Sequence, residues 1–310
     1  MTGRRFARLP RGGVTALLAL AVLWSGGFAA AHAAPRRQIR RVLPDPAIWL
    51  IADRDTKIYL FGMLHVLPPG FRWRSAAFDR VVAAADTLMV ESVDARTAAD
   101  ALDGNVSTRP LPPIAARVSR SHRAALARFT HDLPTPAIDL LDGLPTWIVA
   151  MSVGFVREYR VGAVPGPGAD DWLEQRFRAT RRKVIPIEDG AQVMASLDAI
   201  PEADQRRMLD AALDAPPPTL AGLRAPAEAW ARGDIGPDSA LAGDLAASSG
   251  TSALDGPLMA DRNRAWAAAL VARLDRPGTV LFAAGAGHFI GEGSVIALLR
   301  QRGIRVTRIR

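Results

Sequence analysis

Two stretches near opposite ends of this chain share one grammar: an apolar, strand-like run, then a Gly, two spacers and a His. The first reads Ile58-Tyr59-Leu60-Phe61-Gly62-Met63-Leu64-His65, and the second Val280-Leu281-Phe282-Ala283-Ala284-Gly285-Ala286-Gly287-His288. Short continuous apolar runs bounded by turn formers fit strands buried on both faces of a sheet. An imidazole just beyond the carboxyl end of such a strand stands where open α/β sheets collect their ligand-contacting groups. The Gly before each His permits a sharp turn or a close backbone approach. If the two strands are neighbours, the rings meet, and the two ends of the chain are bound into one sheet. Spacing alone is unspecific, and two strand-end histidines satisfied by backbone partners stay open as the alternative.

Other segments fill in the frame. Residues 47–52 and 56–61 read as a hairpin around Asp53-Arg54-Asp55, and residues 75–85 as an amphipathic helix with Ala77, Phe78, Val81 and Val82 on one face. A short β run over 87–90 ends at Glu91; a helix over 170–180 is followed by a strand over 183–187 that ends at Glu188. The Pro-punctuated stretch 94–145 reads as largely helical, including 114–129, and its His122 and His131 as surface or packing residues. Residues 191–253 alternate short helices with Pro/Gly/Ser loops, the clearest break being Ala215-Pro216-Pro217-Pro218, and suit a helical cap. A helix over 259–274 carries Arg262 and Asn263, and after the second His come a helix over 294–302 and a strand over 305–309. The expected fold is α/β: a mixed central sheet flanked by helices, with strand, G-x-x-H, helix, strand units at both ends and a helical insertion between them.

A mainly parallel sheet would turn His65, Glu91, Glu188 and His288 toward one edge. Two neutral imidazoles and one carboxylate hold a divalent cation while leaving positions for water or substrate, as a catalytic metal requires. One of the two carboxylates, Glu91 or Glu188, would join His65 and His288 in holding divalent Mn, Co or Zn, and the other would serve as general base or fix a ligating ring. Arg262 neutralises a developing oxyanion, fixes a carboxylate near the metal, or lies at a solvated helix end. Gly285 to Gly291 also has the look of a dinucleotide-binding loop, but too little chain follows it, and no acid is present there for a ribose.

Composition narrows the chemistry. With no Cys there are no disulfides, thiolate ligands, Cys nucleophile or lipid anchor. Arg4, Arg5, Arg8 and Arg11 precede an apolar run over 14–24, and Ala31-His32-Ala33 supplies a small-residue cleavage pattern, so residues 1–33 are expected to be a Sec-type export signal. The formal charge is +8, and removing that segment takes away four Arg and no acid, leaving +4 on residues 34–310. The Arg are scattered and aromatics make up 6%, which argues against nucleic acid as partner. No stable membrane span is expected after signal cleavage, because the apolar run is too short.

Taken together, these residues resemble the TraB/GumN family, part of the TraB/PrgY/Tiki superfamily distantly related to ChaN-like and erythromycin-esterase-like proteins. The resemblance runs from the hairpin into Gly62-Met63-Leu64-His65, through Leu88-Met89-Val90-Glu91, Gly168-Ala169-Asp170-Asp171-Trp172-Leu173 and Val184 to Glu188 with Gln192, then Arg262-Asn263, to Gly285-Ala286-Gly287-His288 and the terminal strand. Met63 stands where many relatives carry Thr. The family hallmark is two G-x-x-H motifs with a Glu and an Arg, and its Tiki members resemble metal-dependent proteases. The resemblance implies metal-site roles for His65, Glu91 and His288 and a supporting role for Arg262. The expectation is one domain over 34–310, periplasmic or secreted, acting as a metal-dependent hydrolase on peptide or related acyl bonds in a peptide or small-molecule substrate. The alternative is a non-catalytic envelope protein that binds metal, haem or a partner through the same histidines.

Overall fold

A computed structural model describes residues 43–92, 111–163, 166–248 and 255–310. The expected export signal and the basic leader after it lie outside the described residues.

The hairpin forms as expected: β1 (Ile48–Ala52) pairs antiparallel with β2 (Thr56–Met63), and Asp53 accepts from the backbone N–H groups of Asp55 and Thr56 to hold the turn. The chain continues through a short β3 (Val66–Leu67) and α1 (Ala76–Ala84), whose first turn is capped by Ser75 accepting from the N–H of Phe78. After β4 (Thr87–Val90) come α2 (Arg123–Thr130), α3 (Thr135–Gly143) and α4 (Thr146–Arg160). The stretch read as helix over 114–129 starts as two 3-10 turns, at 114–116 and 120–122, and becomes α-helical only at Arg123. Next are β5 (Gly166–Pro167), α5 (Ala169–Ala179), β6 (Lys183–Pro186), α6 (Gly190–Asp198), α7 (Glu202–Asp214), α8 (Leu220–Ala231) and α9 (Ala240–Ser248). A π-helical turn over 255–260 leads into α10 (Asp261–Arg273), then β7 (Gly278–Gly285), a 3-10 turn over 286–289, α11 (Val295–Gln301) and β8 (Thr307–Arg308).

Six strands form one mixed sheet in the order β6-β4-β7-β2-β1-β8. The four strands β6, β4, β7 and β2 are mutually parallel, while β1 and β8 close one side antiparallel. β7 lies between β4 and β2 and joins the amino-terminal hairpin to the rest of the sheet. Its register with β2 runs from Thr56↔Gly278 to Met63↔Gly285. The two G-x-x-H strands are therefore direct neighbours.

Alternation along these strands builds two separate cores. Phe61, Met63, Leu88, Val90, Leu281 and Ala283 face α1, α5 and α8; Ile58, Leu60, Met89, Val280, Phe282 and Ala284 face α10 and α11. Both faces are covered, which is why β7 reads as an unbroken apolar run and not as an alternating one. A third apolar cluster is purely helical, joining Leu126, Phe129, Trp147 and Val153 to Leu197, Met208, Leu209 and Leu213. The segment read as a cap over 191–253 thus divides: α6 and α7 share a core with α2 and α4, whereas α8 sends Trp230 into the sheet core, where its indole N–H donates to the Gly62 carbonyl at 2.6 Å. Among the described residues no helix is long and apolar enough to cross a membrane.

Candidate functional site

Four neighbouring parallel strands deliver the four sequence-read residues to one edge. His65 follows β2 by two residues, Glu91 follows β4 directly, Glu188 follows β6 by two, and His288 follows β7 by three. Register places Val90 opposite both Pro186 and Ala283, so the acids and the second His leave the sheet at one level. Arg262 comes from the first turn of α10, which packs on the same end of the sheet.

The centre of the cluster is a guanidinium held by two carboxylates. Arg262 Nη2 donates to Glu91 Oε2 at 2.5 Å and to Glu188 Oε1 at 2.5 Å, and its Nε donates to Glu188 Oε2 at 3.0 Å. Trp266, one turn along α10, donates its indole N–H to Glu188 Oε2 at 2.8 Å. Glu188 is thereby committed to holding Arg262, and a role as general base finds no support in its contacts. The three charged side chains are each 13–16% exposed, so removing Arg262 would strand two buried carboxylates, a loss of about 3–5 kcal/mol.

Each imidazole is pinned through Nδ1. Asn263 donates through Nδ2 to the Gly293 carbonyl at 2.9 Å, so its Oδ1 faces His288 and accepts the Nδ1 proton at 2.5 Å. His65 Nδ1 donates to Asp170 Oδ2 at 2.7 Å. Asp170 lies in the first turn of α5, where a carboxylate suits the helix dipole, and that local explanation is what hides its role in the sequence. The loop before it is fixed by the Ala169 N–H on the Leu64 carbonyl at 2.9 Å and by the Gly168 N–H on Asp171 at 2.9 Å. A side chain at Gly168 would collide with the His65 carbonyl, so the approach of α5 to the first motif requires Gly there.

With both Nδ1 positions occupied, both Nε2 atoms turn inward. His65 Nε2 lies 3.7 Å from Glu91 Oε1, and His288 Nε2 lies 3.4 Å from Arg262 Nη1. His65 Nε2, Glu91 and the Cδ2 edge of His288 border the space left by the missing side chain of Gly285. A Cβ there would stand 3.3 Å from His65 Nε2, 3.3 Å from Glu91 Oε1 and 3.6 Å from His288 Cδ2. Gly285 also donates its N–H to Glu91 Oε1 at 2.5 Å.

Exposure separates the two rings. The His65 side chain is 53% exposed, whereas His288 is 5% exposed and lies under the Trp266 ring at a centroid distance of 4.3 Å. Burial, reinforced by Arg262 and His65, pushes His288 down to about 4, so it is neutral near pH 7. For His65, desolvation opposes the charge, but the hydrogen bonds to Asp170 and then Glu91 outweigh it and push the ring up to about 10. Glu91 resists ionisation through burial, yet His65 and Arg262 hold its carboxyl well below the usual range.

The donor chemistry fits a divalent cation. Outer-sphere hydrogen bonds to Nδ1 are the ordinary support of ligating histidines, and they leave His65 Nε2 beside Glu91 and His288 Nε2 beside Arg262. The cluster holds three carboxylates, Glu91 and Glu188 on Arg262 and Asp170 on His65, against one guanidinium, so it carries two formal negative charges before the histidines are counted. Among the described residues no three His, Asp or Glu side chains already stand around one cation position. To ligate, Glu91 would have to release part of its hold on Gly285 or Arg262, His65 would have to give up its Nε2 proton, and His288 Nε2 would have to part from Arg262.

His122 lies elsewhere. Its Nε2 is 2.7 Å from Asp214 and its Nδ1 2.5 Å from the Ser119 hydroxyl, so it ties a 3-10 turn to α7. The acids beside it come from some 90 residues further along the chain and are invisible to local sequence. His131 pairs only with the adjacent Asp132 at 2.7 Å.

The sheet order, the strand-end histidines and the Glu–Arg–Glu bridge define an α/β protein whose polar centre is assembled from both ends of the chain. Residues 47–308 match the model of the TraB/PrgY/gumN family, and the chain belongs to that family. No curated protein and no solved structure matches the chain.

Proposed function

We propose that this strand-end centre is the active site of an exported, metal-dependent hydrolase acting on peptide or related acyl bonds. The observation that carries the reading is the paired restraint on the imidazoles: each ring is fixed through Nδ1, and His65 Nε2, Glu91 Oε1 and the Cδ2 edge of His288 border the space above Gly285. His65 Nε2, His288 Nε2 and Glu91 would hold the ion, with Mn, Co or Zn the candidates. A divalent cation held there would supply Lewis acidity for an acyl oxygen and for a water molecule. The chain's own groups do the rest. Arg262 presents Nη1 beside His288 and offers positive charge to a developing oxyanion. Glu188 and Trp266 keep that guanidinium in place, and Asp170 keeps the His65 ring oriented. Substrate enters on the His65 side, because that ring is open to solvent and His288 is not.

Export rests on the basic, apolar and small-residue pattern of residues 1–33. Haem binding has less support, because His288 is covered by Trp266 and faces Arg262. The test is metal content and peptidase turnover of the protein lacking residues 1–33, against His65→Ala and His288→Ala. Each variant is expected to lose metal and turnover together. Unchanged metal stoichiometry in both would remove the proposal.

A further inference from the structure

The strand-end donors already hold one cation, and it belongs to the chain itself. Glu91 Oε2 and Glu188 Oε1 each accept from Arg262 Nη2 at 2.5 Å, and His288 Nε2 stands 3.4 Å from Arg262 Nη1. Of the residues assigned to an ion in the hydrolase reading, Glu91 and His288 therefore converge on one guanidinium. His65 is the exception, because its Nε2 lies 3.7 Å from the other oxygen of Glu91, Oε1. A guanidinium and a divalent ion cannot share these donors: positive charges at contact range repel, and the repulsion is strongest where burial lowers the dielectric. Arg262 and Glu91 are only 13% and 16% exposed.

The anchoring of Arg262 decides which contacts give way. Glu188 grips it twice, accepting from Nη2 on Oε1 and from Nε on Oε2 at 3.0 Å, and the Trp266 indole N–H steadies Oε2 at 2.8 Å. Glu91 holds it through one oxygen only, its Oε1 being taken by the Gly285 N–H at 2.5 Å. Nη1 is tethered by the Leu258 carbonyl at 3.1 Å, which belongs to the π-helical turn before α10. Single π turns are frequent at functional sites. The contacts with Glu91 and His288 can thus open while the fork on Glu188 stays closed.

We infer that Arg262 is a resident cation that competes with a divalent metal ion for Glu91 and His288, so that loading the centre moves the guanidinium off both and leaves it on Glu188. This rests on the ligand set of the hydrolase reading and adds the regulation of that site. The same contact keeps two buried carboxylates neutralised in the metal-free protein, so the fold does not wait for the ion, as it does in domains whose metal supplies the folding energy.

The experiment titrates manganese and zinc by calorimetry into the metal-free protein lacking residues 1–33 and into its Arg262→Ala and Arg262→Lys variants, with and without millimolar guanidinium chloride. Far-UV circular dichroism checks folding. Arg262→Ala is expected to bind metal at least about tenfold more tightly than the parent, because the competing charge is gone and two acids are left to neutralise. Arg262→Lys keeps a charge but not the fork that spans both acids, and is expected to fold and to fall between the two. Free guanidinium should weaken metal binding to Arg262→Ala and leave the parent unchanged. If Arg262→Ala does not fold without metal, Arg262→Lys carries the comparison. Affinity equal to or weaker than the parent's in the folded variants, or an equal effect of guanidinium on Arg262→Ala and parent, overturns the inference and leaves the ligand set standing. Metal bound by neither parent nor variant removes the hydrolase reading and the inference with it.

Discussion

At the residue scale, the polar centre is legible where strand logic applies and hidden where a side chain acts across the fold. His65, Glu91, Glu188 and His288 each follow a strand, so sheet geometry alone brings them to one edge. Asp170 and Asn263 sit in first turns of helices, where ordinary helix chemistry explains them, and only the coordinates show each holding an imidazole. Replacing Asp170 with Asn keeps the volume but removes the charge behind His65; the expected result is a 10–100-fold fall in divalent-metal affinity with the fold retained, read by metal titration and circular dichroism. The two histidines also give the metal-free protein a two-sided pH dependence. His65 titrates higher in the folded state than its ordinary 6.5, so its stabilisation is complete below pH 6.5 and is lost as pH rises toward about 10. His288 titrates lower, so protonation of the unfolded chain removes stability as pH falls from 6.5 toward about 4. Thermal melts in chelator should therefore peak near pH 6.5, and His65→Ala should flatten the alkaline limb; an unchanged alkaline limb in that variant contradicts the assignment.

At the scale of elements, glycines and one indole govern how strands and helices approach the centre. Gly62 in β2 has no room for a side chain, since a Cβ would lie 3.0 Å from the Ala286 backbone and 3.2 Å from Phe289. The glycines of the two motifs thus pack the motifs against one another, the close backbone approach that the Gly of each motif permits. Gly285→Ala places a methyl group between His65, Glu91 and His288. We expect it to abolish metal binding and turnover while costing only about 1–3 kcal/mol of stability by overpacking, measured by urea denaturation. Trp230→Phe tests the link between α8 and β2. It retains an aromatic ring but leaves the Gly62 carbonyl without its donor, and should destabilise by about 1–3 kcal/mol.

At the scale of the whole molecule, β7 is the element on which the sheet depends. It lies between β4 and β2 and contributes Leu281 and Ala283 to one core and Val280, Phe282 and Ala284 to the other. A chain ended after Pro277 loses that strand and α11, so the two sheet halves cannot meet. It should fail to melt cooperatively and should remain in the insoluble fraction, whereas a soluble truncation with a cooperative transition would refute the central place given to β7. The sequence by itself determined the α/β class, the buried strands and the four strand-end residues, because periodicity and local breaks are properties of neighbouring residues. Only the tertiary structure decided that β2 and β7 are adjacent, that α6 and α7 share a helical core with α2 and α4, that His122 meets Asp214, and that Glu188 holds Arg262. Those facts depend on contacts between residues from 51 positions apart, as Trp147 and Asp198 are, to 222, as Thr56 and Gly278 are, for which one-dimensional spacing carries no distance information.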